Sequence, residues 1–194
     1  MNISKTNAEV FGQPSRSQEW AKQAALVIGA SLFVALCARI SVPLPFTPVP
    51  LTLQNFGVLA VGLTLGSRRG FAALLLYLAE GASGLPVFSM GGGIAYFFGA
   101  TGGFLLTYPL VAFVAGWLYE NTSQRFVAAA WASLVAELVL FAGGLSWLAV
   151  YTHSISLAFL YGLYWFVFAE VIKIMMAAAV GAGWGKHQSS EFEK

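Results

Sequence analysis

Residues 161–176 read YGLYWFVFAEVIKIMM, an apolar and aromatic run that contains two charged residues, Glu170 and Lys173. Residues three positions apart lie on the same face of a helix, so the carboxylate and the ammonium group are able to meet. In lipid, either charge alone would cost about 2.5–3.5 kcal/mol on translocon insertion scales. A chain that keeps both charges on one helical face either neutralises them against each other, to hold helices together, or uses them for function.

The rest of the chain shares the apolar character of this run. Of its 194 residues, 58% are hydrophobic and only 9% are charged, and the mean hydropathy is +0.75. A soluble domain carries roughly 25% charged residues. The composition therefore predicts an all-α integral membrane protein, and the net charge of +2 gives no reason to expect a nucleic-acid partner.

A membrane-spanning helix needs about 20 apolar residues, and fewer where neighbouring helices bury it. Six segments meet this description: Trp20–Ile40, Thr52–Gly66, Phe71–Gly81, Thr101–Tyr119, Arg125–Val150 and a sixth within Leu157–Trp184. We expect a turn at Ser67–Gly70, a kink at Pro109, and an interruption of the fifth helix at Gly143 and Gly144.

Two loops separate these helices. Ser41–Leu51 contains four prolines, which remove backbone donors and hold the preceding residues extended, so a stiff loop is expected. Ala82–Ala100 is rich in glycine and has no charge, which indicates a second loop or a re-entrant segment.

Basic residues set the expected orientation. An even number of helices places both termini on one side, and eight of the basic residues then share that side: Lys5, Arg16, Lys22, Arg68, Arg69, Arg125, Lys186 and Lys194. Only Arg39 lies on the other side, so the positive-inside rule predicts cytoplasmic termini. We divide the chain into polar cytoplasmic ends, 1–19 and 185–194, and a membrane domain, 20–184, with both loops on the outer face.

Further candidates have plain structural alternatives. Backbone N–H groups near Gly91–Gly93 and the Thr101–Gly103 helix start suit an anion, although glycine turns would look the same. Glu137 would join a polar network or relay protons, whereas we expect a structural role for Glu80. Small residues spaced by four, Ala21, Ala25 and Gly29, favour close helix approach, either in docking or in ordinary packing.

Enzyme motifs are absent from the sequence. There is no HExxH motif, no nucleophile elbow and no pair of catalytic carboxylates. His153 and His187 are too far apart to suggest metal ligands, and Cys37 is a lone thiol in an apolar run. We therefore expect neither an enzyme nor a metal site.

Spaced motifs then make the sequence specific. VPLPFTPVPLTLQ at Val42–Gln54 resembles the signature of the biotin-uptake family BioY. The resemblance continues through LGSRRG at 65–70, GLPVF at 84–88, GATGGF at 99–104, GLSWL at 144–148 and the acid-x-x-Lys motif at 170–173. Two departures are visible: Ala100 replaces the usual proline, and Glu170 replaces the commoner aspartate.

The resemblance implies a fold and partners. BioY proteins are the substrate-binding S components of energy-coupling factor (ECF) transporters. The resemblance therefore implies a six-helix bundle in the cytoplasmic membrane of a prokaryote and high-affinity capture of biotin from outside. It also implies uptake driven by a membrane-embedded coupling (T) subunit with ATP-binding (A) subunits. No cofactor is implied, ATP acts only in the partners, and homo-oligomerisation stays open. The stripe at Ala21, Ala25 and Gly29 resembles the motif by which S components dock.

Biotin offers a carboxylate tail, a ureido ring and an apolar thiophane, so its pocket should be apolar with a few polar groups. We expect Glu170 to accept ureido N–H bonds, and Lys173 to donate to the ureido carbonyl or to the carboxylate. The other expected contacts are polar groups of the glycine-rich loop and aromatic walls: Gly91, Gly92, Thr101, Gly102, Tyr96, Trp147, Tyr161 and Tyr164. The proline-rich loop would serve as a lid through Pro43, Pro45, Phe46, Thr47 and Pro48.

Two alternatives remain at this point. A self-sufficient ion- or proton-coupled secondary vitamin transporter would use Glu137 and Glu170 as a proton relay. A structural subunit would bind no ligand at all.

Overall fold

The computed structural model describes residues 15–122 and 125–192, with side-chain burial up to residue 185. Six α-helices make up most of it: α1 (Arg16–Arg39), α2 (Gln54–Ala82), α3 (Gly102–Glu120), α4 (Phe126–Thr152), α5 (Ile155–Phe159) and α6 (Val167–Phe192). All but the five-residue α5 are long and apolar enough to cross a membrane. The all-helical membrane architecture predicted from composition is confirmed in this form.

Helical structure extends beyond the predicted membrane domain at both ends. α1 begins at Arg16 and α6 continues to Phe192, so helix extends into both segments that were predicted as polar tails. Ser15 caps α1, because its side chain accepts a hydrogen bond from the Gln18 N–H at 3.3 Å. Lys5, Lys194 and the rest of the predicted N-terminal segment before residue 15 lie outside the described residues.

The helix α2 is two antiparallel arms joined at Gly66. Gly66 has φ 81° and ψ 176°, which are not helical values, and it separates a first arm (residues 54–65) from a second arm (residues 67–82). The arms lie side by side, because Gln54 Nε2 donates to the hydroxyl of Tyr77 at 2.9 Å. The predicted turn at Ser67–Gly70 is therefore wrong in position, since those residues are helical and Gly66 reverses the chain.

Two features explain why the reversal occurs at Gly66. A φ of 81° is accessible to glycine at little cost, and a Cβ there would overlap the carboxylate of Glu120. Glu120 in turn caps the second arm: its Oε1 accepts from the Ser67 N–H at 3.0 Å and its Oε2 accepts from Ser67 Oγ at 2.9 Å. A carboxylate at a helix N-terminus satisfies free donors and suits the helix dipole.

The predicted interruption of the fifth helix is also wrong. α4 is continuous from Phe126 to Thr152 and includes Gly143 and Gly144. A Cβ at Gly143 would meet Thr107, and one at Gly144 would meet Phe104, both on α3. The two glycines therefore bring α3 and α4 close together. α3 itself runs through Pro109 without ending.

Both predicted loops lie at one end of the bundle. The proline-rich loop is closed by β1 (Ser41–Val42) and β2 (Leu51–Thr52), which pair antiparallel. The glycine-rich loop folds back on α2 through the bond from the Gly93 N–H to the Gly81 carbonyl, 2.7 Å, and continues into a 3-10 helix, Ile94–Phe98. The opposite end of the bundle carries the Gly66 reversal and Glu120, which share a cleft with Trp184 of α6.

The chain enters α6 through an irregular segment. A π-helical turn, Leu160–Tyr164, follows α5, and Phe166 precedes α6. The carbonyl of Tyr161 accepts a hydrogen bond from Thr47 Oγ1 of the proline-rich loop at 2.8 Å. The sixth predicted segment is thus a short helix, a π turn and a long helix, and the proline-rich loop is attached to its irregular part.

Candidate ligand-binding site

A cavity lies below the two loops, between α2, α3, α4 and α6. It contains about 620 Å³ of empty space, part of which is open to solvent. The walls are apolar or aromatic on most sides, and polar side chains gather at one place. The lining residues are Val49, Pro50, Thr52, Gln54, Asn55, Phe88, Ser89, Tyr96, Thr101, Phe104, Leu105, Tyr108, Glu137, Leu140, Phe141, Gly162, Phe166, Glu170 and Lys173.

Four buried side chains form what we call the polar cluster: Asn55, Glu137, Glu170 and Lys173. Lys173 Nζ lies 2.6 Å from Glu170 Oε1. Asn55 Nδ2 donates to Glu137 Oε2 at 2.7 Å and to Glu170 Oε2 at 2.8 Å. Each of the four residues is at most 7% exposed. The amide therefore holds two carboxyl groups together, and the ammonium group neutralises one of them.

Two oxygens of this cluster have no partner. Among the described residues, neither Asn55 Oδ1 nor Glu137 Oε1 has a hydrogen-bond partner, although both atoms are buried. More than nine in ten buried polar groups in proteins are paired, and an unpaired one costs about 1–3 kcal/mol. The cluster thus retains hydrogen-bonding capacity at the wall of a cavity, as expected for a site that receives a polar ligand.

A second polar contact fixes the wall next to the cluster. The hydroxyl of Tyr77 accepts from Gln54 Nε2 and donates to the carbonyl of Val87 at 3.0 Å. Since Val87 belongs to the glycine-rich loop, this chain of bonds joins both arms of α2 to that loop. Gln54 is thereby held at the cavity wall beside Asn55.

Aromatic side chains form the wall under the glycine-rich loop. Phe88, which is 1% exposed, lies 5.4 Å from Tyr77, 5.5 Å from Tyr96 and 5.7 Å from Phe97, measured between ring centroids. The contacts with Tyr77 and Phe97 are edge-to-face and the contact with Tyr96 is tilted, and both geometries stabilise packed aromatic side chains. This part of the site is a packed aromatic surface.

The structure separates the predicted binding residues into two groups. Glu170, Lys173, Thr101 and Tyr96 line the cavity. The others do not line it: Gly91, Gly92, Gly102, Trp147, Tyr161 and Tyr164.

Residues of the second group have contacts of their own. Trp147 Nε1 donates to the carbonyl of Gly99 at 2.8 Å, which steadies the glycine-rich loop from α4. A Cβ at Gly92 would overlap the backbone of Leu85, and one at Gly102 would overlap the backbone of Phe97. These positions shape the loop from outside the cavity wall.

The predicted lid residues also lie outside the cavity wall, whereas the two residues that follow them, Val49 and Pro50, line it. Thr47 is buried and bonded to Tyr161, and the ring of Phe46 contacts that of Trp165 with centroids 4.6 Å apart. Pro43, Pro45 and Pro48 give the loop its path. The proline-rich loop therefore covers the cavity with its last residues and is fixed by its middle ones.

The small-residue stripe of α1 lies apart from the cavity. Ala21, Ala25 and Gly29 are exposed, and a Cβ at Gly29 would meet no described atom within 4 Å. Ala25 and Gly29 line a shallow apolar groove together with residues of α2 that include Ala60 and Thr64. On the inner side of α1, Ser31 Oγ donates to the carboxylate of Glu80.

Sequence reasoning missed Asn55, Gln54 and Tyr108. The available signal was a pair of adjacent amides, Gln54 and Asn55, at the start of an apolar helix. Amide side chains in such a helix need partners, but their partners come from positions up to 115 residues away. No group of three His, Cys, Asp or Glu side chains that could hold a metal ion occurs in the described part of the chain.

Comparison with known proteins gives consistent results. The model of the BioY family matches residues 6–189. A probable biotin transporter BioY from Pyrococcus horikoshii is 38% identical over 164 residues, covering 82% of this chain and 94% of the relative. The biotin transporter BioY of Thermotoga maritima is 41% identical over 161 residues, covering 79% and 92%.

A solved structure has the same fold. The crystal structure of the S-component for biotin from an ECF-type ABC transporter superposes with a TM-score of 0.81, at 24% identity, over 90% of this chain and 95% of the other. The resemblance that the spaced motifs indicated is confirmed over nearly the whole chain. The chain therefore belongs to the BioY family.

Proposed function

We propose that the chain captures biotin in the cavity and serves as the biotin-specific S component of an ECF-type transporter, with no enzymatic role. The names of its relatives and of the solved structure support this function. The observation that carries it is the polar cluster, in which Asn55 Oδ1 and Glu137 Oε1 lack partners among the residues that the structure describes, at the wall of a mostly apolar cavity.

We place the ureido ring of biotin at the polar cluster. Lys173 is already paired with Glu170, so the cluster offers no uncompensated positive charge to a carboxylate and favours a neutral group that both donates and accepts. The ureido ring has two N–H donors and one carbonyl. Glu170 and Asn55 Oδ1 would accept from the N–H groups, and Lys173 would donate to the carbonyl. Each bond to a charged group contributes about 1.5–3 kcal/mol.

The carboxylate of biotin would then point toward the start of α3. Thr101, just before the helix, and Phe104, in its first turn, both line the cavity. The first N–H groups of a helix lack intrahelical acceptors and favour an anion. The thiophane ring and the valeryl chain would lie between these two ends, against Phe88 and Tyr96.

The membrane arrangement in this proposal has six spans and cytoplasmic termini. Counting the two arms of α2 separately turns the five candidate spans into six antiparallel ones. The two loops then face outside, where biotin enters, and the Gly66 reversal faces the cytoplasm. We place the protein in the cytoplasmic membrane of a prokaryote.

Partners complete the proposed transporter. The exposed stripe at Ala21, Ala25 and Gly29 would dock on a membrane-embedded coupling subunit, and ATP-binding subunits would drive uptake. Small residues support this role because they allow close helix approach in lipid. The chain itself would hold no cofactor.

Titration calorimetry of the detergent-purified protein tests the binding proposal. Biotin should bind, and biotin methyl ester, which lacks the anionic carboxylate, should bind more weakly. Substituting Lys173 should lower the affinity for both ligands by the same factor, because Lys173 would contact the ureido end that they share. Lys22→Ala, on the exposed start of α1, is the matched control. Absence of biotin binding by the unmodified protein would overturn the function, and a loss confined to biotin would overturn the orientation.

A proton-coupled secondary transporter is the second candidate, favoured by the buried carboxyl group of Glu137 beside Glu170. Uptake by proteoliposomes that contain only this chain, driven by a pH gradient without ATP, would support it. Uptake that requires the coupling and ATP-binding subunits would exclude it.

A further inference from the structure

The end of the bundle opposite the cavity carries two clefts that the proposed biotin function does not use. One lies between the second arm of α2 and α3, the other beside it toward α6, and they share Leu65, Arg69 and Glu120. Their empty volumes are about 1100 and 530 Å³, including space open to solvent. The two clefts meet around the Gly66 reversal.

The first cleft is basic because its one acidic residue is already engaged. Glu120 accepts two hydrogen bonds from Ser67, as the cap of the second arm. Arg68 and Arg69 are exposed in the same cleft. Within the described residues, neither guanidinium forms an ion pair within 4.0 Å. An arginine fork without a carboxylate partner is suited to the paired oxygens of a phosphate.

The second cleft offers another free donor. Tyr119 lines it and is 2% exposed, and its hydroxyl has no partner among the described residues. Trp184, half exposed, lines the same cleft. A buried hydroxyl without an acceptor in the described part of the chain, in the same cleft as Arg69, is suited to donate to an oxygen-rich group.

An apolar surface continues from the basic cleft along α3. Leu106, Leu110, Phe113 and Trp117 are all exposed and share one face of the helix. This stripe extends for about 16 Å at 1.5 Å per residue, close to the hydrocarbon depth of one leaflet, about 15 Å. The second arm presents exposed Ala72 and Leu75 beside it, and Phe71 contacts Phe113 between them, with ring centroids 6.2 Å apart.

We propose that this surface binds an anionic phospholipid. The phosphate group lies at Arg68 and Arg69, with the Tyr119 hydroxyl as a further donor, and an acyl chain follows the stripe from Trp117 to Leu106. The combination favours a lipid over a free anion, because guanidinium groups and a leaflet-deep apolar stripe are joined in one surface. Basic pockets at the ends of membrane helices recognise anionic headgroups in this way.

Quenching of tryptophan fluorescence by brominated lipids tests the proposal on the complete chain in nanodiscs. Brominated phosphatidylglycerol should quench more than brominated phosphatidylcholine. The binding constant for the first lipid should be about ten times that for the second. Trp117→Phe should remove much of this difference. The double variant Arg68→Gln/Arg69→Gln should bind the two lipids about equally. The control variant Arg39→Gln, which replaces an exposed arginine at the cavity end, should retain the preference.

Biotin titration shows that each variant is folded, because none of these residues lies at the cavity. Equal quenching by the two lipids in the unmodified protein would overturn the proposal. If inorganic phosphate at millimolar concentration abolishes the preference, the ligand of this surface is a free anion and the lipid proposal is wrong. If Arg68→Gln/Arg69→Gln retains the lipid preference but no longer co-purifies with a coupling subunit, the clefts are a protein-docking surface and the proposal is wrong.

Discussion

The cavity side and the outer face of α1 use opposite solutions to the problem of specificity in a membrane. At the cavity, four polar side chains are buried and bonded to one another. On the outer face of α1, Ala21, Ala25 and Gly29 are exposed and offer no polar group. In our proposal, the first surface recognises a small polar molecule by matched donors and acceptors. The second would allow close approach of another helix. Substitutions should therefore separate ligand binding from docking.

The largest expected effect is that of Asn55→Leu. Asn55 bonds both Glu137 and Glu170, so its loss leaves two carboxyl groups together without the amide that joins them. The variant also lacks the Oδ1 acceptor that we assign to a ureido N–H group, and Glu170 loses the amide that orients it, so biotin affinity should fall by at least about 100-fold, equivalent to about 3 kcal/mol. Calorimetry measures it, with Asn121→Leu at the exposed end of α3 as the control. Unchanged affinity would remove Asn55 from the binding site.

Lys173→Met should have the next largest effect. It removes one charged donor and leaves Glu170 without its ion pair, while keeping an apolar chain of similar length. We expect the affinity for biotin to fall about 10- to 150-fold, corresponding to about 1.5–3 kcal/mol. The control is Lys22→Met on the exposed start of α1. An affinity within twofold of the unmodified protein would contradict the assigned role.

Ser31→Ala should lower stability without changing biotin binding. Ser31 is fully buried on the inner side of α1 and donates to the carboxylate of Glu80. Its loss should cost about 1.5–3 kcal/mol and reduce the melting temperature by about 3–10 °C. Ser83→Ala removes an exposed hydrogen bond to the backbone carbonyl of Glu80 and should cost less stability. Equal melting temperatures for the two variants would show that the buried Ser31 hydrogen bond stabilises the protein no more than the exposed one at Ser83.

Gly29→Leu should have the smallest effect on ligand binding and a selective effect on docking. A Cβ at Gly29 would meet nothing within 4 Å among the described residues, so biotin affinity should stay within twofold and stability within about 0.5 kcal/mol. Co-purification with the coupling subunit should fall. Gly183→Leu is a matched control, because its Cβ position on α6 is equally open. If both variants co-purify normally, the stripe on α1 is not the docking face.

The parts of the fold that depend on local pattern could be predicted from the sequence. Apolar segment length gave the helical membrane architecture, and the prolines of Ser41–Leu51 gave a loop. The spacing of Glu170 and Lys173 put them on one helical face, and their side chains do meet, with 2.6 Å between the charged atoms. In each case the physical cause lies within about 20 residues of chain.

The remainder depends on contacts between distant parts of the chain. Asn55 meets Glu137 across 82 positions, and no periodicity within α2 or α4 specifies that pairing. The reversal at Gly66 depends on Glu120, which caps the second arm from 53 positions away. Gly143 and Gly144 suggested a broken helix, but neighbouring Thr107 and Phe104 use the space that they leave. The sequence alone did not distinguish a glycine that bends a helix from one that admits a neighbour.

The attachment of the proline-rich loop has a kinetic consequence. Phe46 and Thr47 fasten the loop to Trp165 and Tyr161, just before the helix that carries Glu170 and Lys173. We propose that the loop opens to release a ligand, and this opening would break the aromatic contact and the hydrogen bond. These two contacts would then contribute to the barrier to release, whereas the polar cluster would determine the equilibrium affinity. Residence time and affinity would therefore respond to substitutions in different parts of the molecule.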